Sequence, residues 1–244
     1  MAIRRVMATS GGFFSSGESD VMFPGNTVLK MLELTGKKRP KICFILTASG
    51  DDKSYLEKSY AAMASMSSDV HHLQLFMQPN ISPREAILNA DAIWVGGGSV
   101  ANMLNLWKLH GVDDLLREAY EAGTILGGVS AGSICWHLGG PTDSFGAQLR
   151  LANNGLGLLP FGNAVHFDSE AQRRPFSSEL VANGTFEKIY ATDDGVGILY
   201  ANEVPIEVIV DLPNSLGKDG PSAYLLEKKN GSVEEIKLLP GKIH

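Results

Sequence analysis

Short apolar runs alternate with segments of helical periodicity through the first half of this 244-residue chain. The continuous apolar run at residues 41–47 is typical of a strand buried on both faces, and residues 90–95 are predicted to form another strand. Between such runs, Asn26–Leu34 and Val112–Ala122 carry apolar residues at helical spacing, which predicts helices. The other elements predicted here are strands at 3–9 and 70–76, helices at 52–66 and 99–109, and a helix starting in the capping box at Ser82. Repeated β-α units predict an α/β fold with a mostly parallel sheet flanked by helices.

The second half of the chain has a different texture. Residues 139–165 are rich in Gly, Asn and Pro, show little helical period and are predicted to form turns. Short strand-like runs follow, at residues 188–192, 195–200, 205–210, 222–227 and 232–239. Asn230-Gly231 predicts a hairpin turn between the last two. Since no linker separates the halves, residues 1–244 are predicted to form one domain with a β-rich C-terminal extension of the sheet, which either closes the sheet or forms the edge of a homodimer.

Three glycine-bearing loops follow predicted strands, at residues 10–17, 96–98 and 128–132. Ligands of parallel α/β sheets bind beyond the C-terminal ends of the strands, so these loops are expected to converge on one crevice. The third loop reads Gly-Val-Ser-Ala-Gly, the pattern of a nucleophile elbow, in which a sharp turn lifts the serine hydroxyl clear of the sheet. Ser130 is therefore a candidate nucleophile.

A serine nucleophile needs a base, usually histidine, and a carboxylate that orients the base. His166 is the candidate base, with a structural loop or strand histidine as the alternative. His137 is expected two turns along the helix that Ser130 begins, pointing away. The other histidines lie in a strand (His71, His72), at a helix end (His110) or at the last residue (His244).

Sequence position identifies the orienting carboxylate less clearly than it identifies the base. Asp193-Asp194-Gly195 lies between two predicted strands, at a turn where aspartate is favoured in any case. Asp143, Asp168 and Glu170 are rivals, and the choice among all of them stays open.

An oxyanion hole needs two preorganised donors. The Ala131 N–H is the natural first donor, and the glycines of residues 96–98 can supply the second because a bare backbone approaches a substrate closely. The alternative for that loop, a nucleotide-phosphate site, is disfavoured because the sequence matches neither G-x-G-x-x-G nor a lysine-bearing P-loop.

Composition and charge narrow the classes of function that remain open. A net charge of −6 disfavours a nucleic-acid partner, and no apolar stretch approaches the roughly 20 residues of a membrane span. The N-terminus runs directly into a strand, so no signal peptide is expected. Cys43 and Cys135 lie in apolar surroundings, which predicts reduced thiols in a cytoplasmic protein. No H-E-x-x-H or C-x-x-C motif is present, and neither a metal nor another cofactor is expected.

These motifs together resemble a known family. Trp94-Val-Gly-Gly-Gly98 before a helix, the elbow at Ser130 and a histidine at 166 are similar to peptidase E (aspartyl dipeptidase) and the cyanophycinase-like serine peptidases. Residues 142–146, 156–160 and 166–175 look especially like the cytosolic bacterial members. The resemblance runs from about residue 5 to residue 200 and implies a fold of the class I glutamine amidotransferase type.

The resemblance implies roles for individual residues. Ser130 matches the nucleophile, His166 the base, and Gly98 and Ala131 the oxyanion donors. Asp194 matches the acidic member, which is a glutamate in peptidase E itself, and Asp193 beside it keeps that assignment open. The chain order of serine, histidine and acid differs from the order in α/β-hydrolases.

The resemblance also implies a substrate, a small peptide and most specifically a dipeptide with an N-terminal aspartate. Arg173, Arg174 and Arg150 are candidates for gripping its carboxylate, with plain surface arginines as the alternative. Asp143 is the candidate for facing the substrate's amino group.

Three alternatives are retained. One is a peptidase of the same family that acts on other dipeptides or on cyanophycin-like peptides. Another is a non-catalytic binding protein on the same fold, and the third is an amidotransferase-like enzyme that uses Cys135.

Overall fold

The computed structural model describes residues 2–15, 21–212 and 220–243. Its helices are α1 (Asn26–Leu34), α2 (Lys53–Met63), α3 (Pro83–Leu88), α4 (Val100–His110), α5 (Val112–Ala122), α6 (Ala131–Ile134) and α7 (Arg173–Ala182), with a 3₁₀ turn at Thr47–Ser49. Its strands are β1 (Arg5–Thr9), β2 (Phe13–Ser15), β3 (Met22–Pro24), β4 (Lys41–Ile45), β5 (Asp69–Leu73), β6 (Ala92–Val95), β7 (Ile125–Val129), β8 (His137–Thr142), β9 (Arg150–Ala152), β10 (Leu159–Ala164), β11 (Lys188–Thr192), β12 (Val196–Ala201), β13 (Val204–Val210), β14 (Ala223–Lys229), β15 (Ser232–Leu238) and β16 (Gly241–Lys242).

The main sheet has the strand order β16-β13-β12-β1-β7-β6-β4-β5. The strands from β1 through β7, β6 and β4 to β5 pair in parallel, whereas β12, β13 and β16 continue the sheet antiparallel on the other side of β1. This arrangement confirms the predicted α/β fold class.

Successive side chains of a strand point to opposite faces of the sheet, so the core is divided into two layers. On one face, Phe44 and Trp94 pack with Val28 and Met31 of α1 and Met63 of α2. On the other face, the buried side chains of α3, α4 and α5 pack against β4, β6 and β7. Helices therefore cover both faces of the parallel strands.

A second sheet has the strand order β15-β14-β11-β10-β8-β9 and was not predicted. The expected extension of the main sheet is formed by β12, β13 and β16 alone. β11 pairs instead with β10, β14 with β11 and β15 with β14, so these strands extend a sheet whose other members lie in the segment predicted to form turns. Glycine makes this pairing sterically feasible, since a side chain at Gly139 or Gly140 would collide with the carbonyl of Ala152 or Asn163.

The expectation that His137 lies on a helix begun by Ser130 is wrong. α6 ends at Ile134, and His137 is the first residue of β8. Its ring is fully buried, with Nδ1 2.9 Å from the Ser133 carbonyl oxygen. Burial lowers the pKa of His137 to about 3, so the ring is neutral and belongs to the core.

Turn chemistry read from the sequence agrees with the structure at one turn and differs at another. Asn230 and Gly231 both have positive φ, 52° and 86°, and join β14 to β15 as the type I′ preference of Asn-Gly predicts. α3 begins at Pro83 as expected, but Ser82 makes no side-chain capping bond.

No helix in the described ranges is both long and apolar enough to cross a membrane.

Asp211, directly after β13, ties three parts of the fold together. Its Oδ2 accepts the N–H of Gly12 at 2.5 Å, and its Oδ1 accepts the N–H and hydroxyl of Thr27 at 2.9 and 2.7 Å. The carboxylate is 5% exposed and lies at the N-terminus of α1, where a negative charge is favoured. It therefore fixes the loop after β1 and the start of α1 to the edge of the sheet.

We expect Asp211→Asn to lower the free energy of unfolding by about 2–3 kcal/mol, because an amide cannot accept at both positions and leaves buried donors unpaired. Urea unfolding followed by circular dichroism measures the loss. Glu57→Gln on the exposed face of α2 is the control and should change stability by less than about 0.5 kcal/mol. Equal stability of the two variants would contradict the assigned role of Asp211.

Candidate active site

Ser130 occupies a strained turn between β7 and α6. Its backbone has φ 57° and ψ −112°, a region that side-chain-bearing residues seldom adopt. The flanking glycines allow the turn because a Cβ at Gly128 would lie 2.5 Å from the Val95 carbonyl oxygen, and one at Gly132 would collide with the same group. The Ser130 N–H donates to the Thr9 carbonyl at 3.1 Å, which anchors the turn to β1.

His166 and Asp194 follow two adjacent parallel strands of the second sheet. β10 and β11 pair in the register Ala164↔Ala191, so the residues that follow them emerge side by side. His166 Nδ1 lies 2.5 Å from Asp194 Oδ1. Because an ionised carboxylate only accepts, Nδ1 carries the proton and Nε2 is left as the acceptor nitrogen.

Asp193, next to Asp194, faces the opposite way. Its side chain is 3% exposed, and its Oδ2 accepts the Ser222 N–H at 2.9 Å and the Tyr224 hydroxyl at 3.2 Å. Burial raises the pKa of Asp193. Of the two aspartates that the sequence left open, Asp194 is therefore the one beside His166, and Asp193 fixes the start of β14.

Asp168 and Glu170, two of the rival acids, also have defined partners. Asp168 Oδ1 accepts the Asp194 N–H at 2.9 Å, so it orients the turn that carries Asp194. Glu170 pairs with Arg173 through Nε, at 2.7 Å. Neither has a hydrogen bond to the His166 ring in the described part of the chain.

The loop of residues 96–98 lies between β6 and α4. Gly98 has φ 133°, and a Cβ there would collide with the Ala48 carbonyl, so only glycine fits. A Cβ built on Gly97 would lie 3.3 Å from Ser130 Cβ and 3.9 Å from its Oγ. Gly97 thus faces the serine directly, a contact that the sequence did not single out from its glycine neighbours.

These elements border one open cleft of about 400 Å³, lined by Gly98, Ser99, Ser130, Asp143, Ser144, His166, Glu170 and Arg173. The loops at 96–98 and 128–132 meet there as expected. None of the described residues of the loop at 10–17 lines the cleft; Ser10 lies behind it, bonded through Oγ to the His166 N–H at 3.0 Å. Residues 16 and 17 of that loop are outside the described ranges.

The three candidate arginines have different surroundings. Arg173 is only 2% exposed, and it donates to Glu170 and to the Pro141 carbonyl at the wall of the cleft. Arg174 is not in the cleft lining: it pairs with Glu235, and its guanidinium lies 4.2 Å from the centre of the Phe167 ring. Arg150 stacks on Phe145.

A second cavity of about 430 Å³ adjoins the cleft. It shares Asp143 and Glu170 with the cleft, and its other lining residues are Gly146, Ala147, Leu149, Ala171 and Gln172. Gln172 fixes that wall by accepting the Leu149 N–H and donating to the Ala147 carbonyl, both at 3.3 Å. The two cavities together extend well beyond the immediate surroundings of Ser130.

His71 and His72 have hydrogen-bond partners away from the cleft. His71 Nε2 lies 2.9 Å from the Ala86 carbonyl oxygen and His72 Nδ1 2.8 Å from the Tyr60 hydroxyl. His110 ends α4, and His244 lies outside the described residues. Across the described ranges, no three His, Cys, Asp or Glu side chains are grouped so as to hold a metal ion.

Comparison with known proteins gives a family match and similar sequences. The model of peptidase family S51 matches residues 8–207. An uncharacterized peptidase of Bacillus subtilis (strain 168), YgaJ, is 35% identical over 238 residues, which covers 97% of each chain. Peptidase E of Shewanella denitrificans is 30% identical over 126 residues, 48% of each chain.

Two solved structures share the fold. A peptidase from an acI-B1 actinobacterium aligns with a TM-score of 0.69 and 16% identity over 99% of this chain and 96% of its own. A candidate peptidase E protein of Listeria monocytogenes EGD-e aligns with a TM-score of 0.60 and 22% identity over 85% of this chain and 98% of its own.

We expect both thiols of the folded protein to be inert to a thiol-specific disulfide reagent at mildly alkaline pH. Cys43 and Cys135 are fully buried; burial raises the pKa of Cys43 to about 12 and that of Cys135 well above its usual value, so neither forms a reactive thiolate. The same reagent should titrate both thiols after denaturation, which is the control. Rapid modification of Cys135 in the folded protein would restore it as a candidate nucleophile.

Proposed function

This chain belongs to peptidase family S51, and on that premise we propose that it is a serine-type exopeptidase that cleaves short peptides through a Ser130–His166–Asp194 triad. The observation that carries the proposal is the 2.5 Å contact between His166 and Asp194, in the cleft that also exposes Ser130 on its strained turn. Ser130 and His166 line the same cleft, and a histidine whose Nδ1 is fixed by a carboxylate can act as the base of a serine through its other nitrogen.

In the proposed mechanism, Ser130 Oγ attacks the peptide carbonyl carbon while His166 Nε2 accepts its proton. Asp194 keeps the proton of Nδ1 in place and stabilises the imidazolium that forms. The C–N bond then breaks as His166 returns the proton to the leaving amine, which leaves an acyl-enzyme on Ser130. Water, deprotonated by His166, hydrolyses the ester and frees the serine.

The negative charge of the tetrahedral intermediate needs donors already in position. We propose the N–H groups of Ala131 and Gly98, which belong to the two loops that meet at the cleft. Removal of one such donor in a serine peptidase costs about 3–4 kcal/mol of transition-state stabilisation.

For the substrate, we propose a dipeptide with an N-terminal aspartate. Arg173 supports this because its buried guanidinium lines the cleft, and its Nη2 remains for a carboxylate once Nε and Nη1 have bound Glu170 and Pro141. Asp143, also in the cleft lining, would bind the free α-ammonium group. We place the carboxylate contact on Arg173 rather than Arg174, because Arg173 lines the cleft and Arg174 does not.

A second candidate function is a peptidase of the same mechanism with other substrates, such as different dipeptides or cyanophycin-like branched peptides. The adjoining cavity of about 430 Å³ favours it, because a longer or branched substrate could extend past Asp143 into that space. We also propose a cytoplasmic location with reduced cysteines. A homodimer formed through the strand-rich C-terminal segment stays a prediction.

We expect the wild-type protein to hydrolyse Asp-X dipeptides and Ser130→Ala to lower kcat/KM by at least about 10⁴-fold, since the nucleophile is lost. A panel of Asp-X, Glu-X, Asn-X, Ala-X and N-blocked Asp-X, analysed by chromatography, measures both the reaction and its specificity. N-blocked Asp-X should resist cleavage because Asp143 loses the ammonium group.

Ser130-dependent cleavage of other members of the panel would keep the mechanism and replace the aspartyl specificity. A folded wild-type protein that cleaves nothing in a Ser130-dependent manner, including longer and branched peptides, would favour the binding-protein alternative.

We expect Asp194→Asn to lower kcat by about 10³–10⁴-fold, because the amide no longer holds the required His166 tautomer. Asp193→Asn is the matched control: its oxygen still accepts from Ser222, and kcat should stay within about threefold of wild type. Steady-state kinetics on the best dipeptide compares them. If Asp193→Asn is the more damaging variant although both fold, the acid is misassigned.

A further inference from the structure

Thr9, the last residue of β1, and Ser10 after it bond to the backbone of two members of the proposed triad and of the residue that follows the third. The Thr9 carbonyl accepts the Ser130 N–H at 3.1 Å, and the Ser10 carbonyl accepts the N–H of Gly195, the residue after Asp194, at 3.2 Å. The Ser10 hydroxyl accepts the His166 N–H at 3.0 Å. Two consecutive residues thus fasten three segments that are distant in sequence.

The Ser10 hydroxyl is fully used. It lies 3.0 Å from the Thr192 carbonyl oxygen and 2.6 Å from Thr192 Oγ1, in addition to its bond from His166. A hydroxyl donates once and accepts twice, so the consistent assignment has Ser10 donating to the Thr192 carbonyl and accepting from the Thr192 hydroxyl and the His166 N–H. The group is 5% exposed, so water does not readily replace it.

His166 needs such a partner because its backbone has φ 53°, in the left-handed region that disfavours side-chain-bearing residues. Residues held in this region persist only where the surroundings determine them. The neighbouring bonds, Phe167 N–H to the Thr192 carbonyl and Glu170 N–H to the His166 carbonyl, fix the chain after His166. Only the Ser10 hydroxyl holds the amide of His166 itself among the described residues.

We propose that Ser10 is a positioning residue for the reaction: its hydroxyl fixes the left-handed backbone of His166 and thereby aims the imidazole between Asp194 and Ser130. The inference rests on the proposed triad function. Ser10 does not line the cleft, so it acts through His166 and touches no substrate.

The test is Ser10→Ala, which removes the acceptor and leaves the His166 N–H unpaired. We expect kcat on the best dipeptide to fall about tenfold or more, with KM within about twofold of wild type, because binding groups are untouched while the base is less well aimed. Thr192→Val is the matched control. It removes the other hydroxyl of the buried pair but keeps the acceptor of His166, and kcat should stay within about threefold.

A second readout separates positioning from general loss of structure. The hydrogen-bonded Nδ1 proton of His166 should give a far-downfield proton NMR signal, identified by its absence in His166→Gln. We expect this signal to shift or broaden in Ser10→Ala and to persist in Thr192→Val. Should Ser10→Ala fail to fold, Ser10→Cys keeps the size with a weaker acceptor, and a lower kcat with unchanged KM is expected there.

The outcomes for Ser10 and for the triad differ. Wild-type kcat together with an unchanged His166 signal in Ser10→Ala overturns the role of Ser10 while the peptidase proposal stands. A rise in KM at constant kcat also overturns it. If the wild-type protein cleaves no peptide but the His166 signal still responds to Ser10→Ala alone, Ser10 positions His166 and the peptidase proposal fails.

Discussion

The close approach of β6 to the turn after β7 is the constraint on which the rest of the site depends. The Val95 carbonyl occupies the space that a side chain at Gly128 or Gly132 would need. With glycine at both positions the chain can reverse sharply within van der Waals contact of the neighbouring strand, and Ser130 takes the positive φ that exposes its hydroxyl. The same closeness places Gly97, just past the end of β6, against the serine.

The candidate site lies where two sheets meet, and each sheet contributes a different kind of group. The main sheet supplies Ser130 and the glycine loop from the C-terminal ends of two parallel strands. The second sheet supplies His166 and Asp194 from the ends of β10 and β11, which are also parallel neighbours. The rule that ligands bind beyond the C-terminal ends of parallel strands thus applies twice, at one cleft.

Much of the main sheet, its helices and the turn at Ser130 could be predicted from local sequence pattern. α1 and α5 have the expected bounds, because each has a clear apolar stripe and a glycine close after its end. The elbow at Ser130 was recognisable because its glycines serve a local steric need. α7 was not found: Pro175 interrupts the pattern, although proline is tolerated in the first turn of a helix.

The second sheet was hidden for a different reason. β8 reads His-Leu-Gly-Gly-Pro-Thr, which has no alternation of apolar and polar residues. Its glycines are required because carbonyl groups of neighbouring strands occupy the space of a side chain. Asp193 and Asp194 are adjacent in one turn and point to opposite sides, so only the pairing of β11 with β14 distinguishes them. The sequence indicates that a residue of the right chemical type is present, whereas non-local strand pairing decides which of two adjacent residues lies beside His166.

The origin of the groups in two sheets has a consequence for the life of the molecule in the cell. His166 and Ser10 are 156 positions apart, and contacts of such separation form late, after local helices and hairpins. A chain that has not yet docked its second sheet holds Ser130 without His166 beside the same cleft. On the proposed triad, hydrolytic activity would therefore appear only with completed folding and would report the docking of the two sheets.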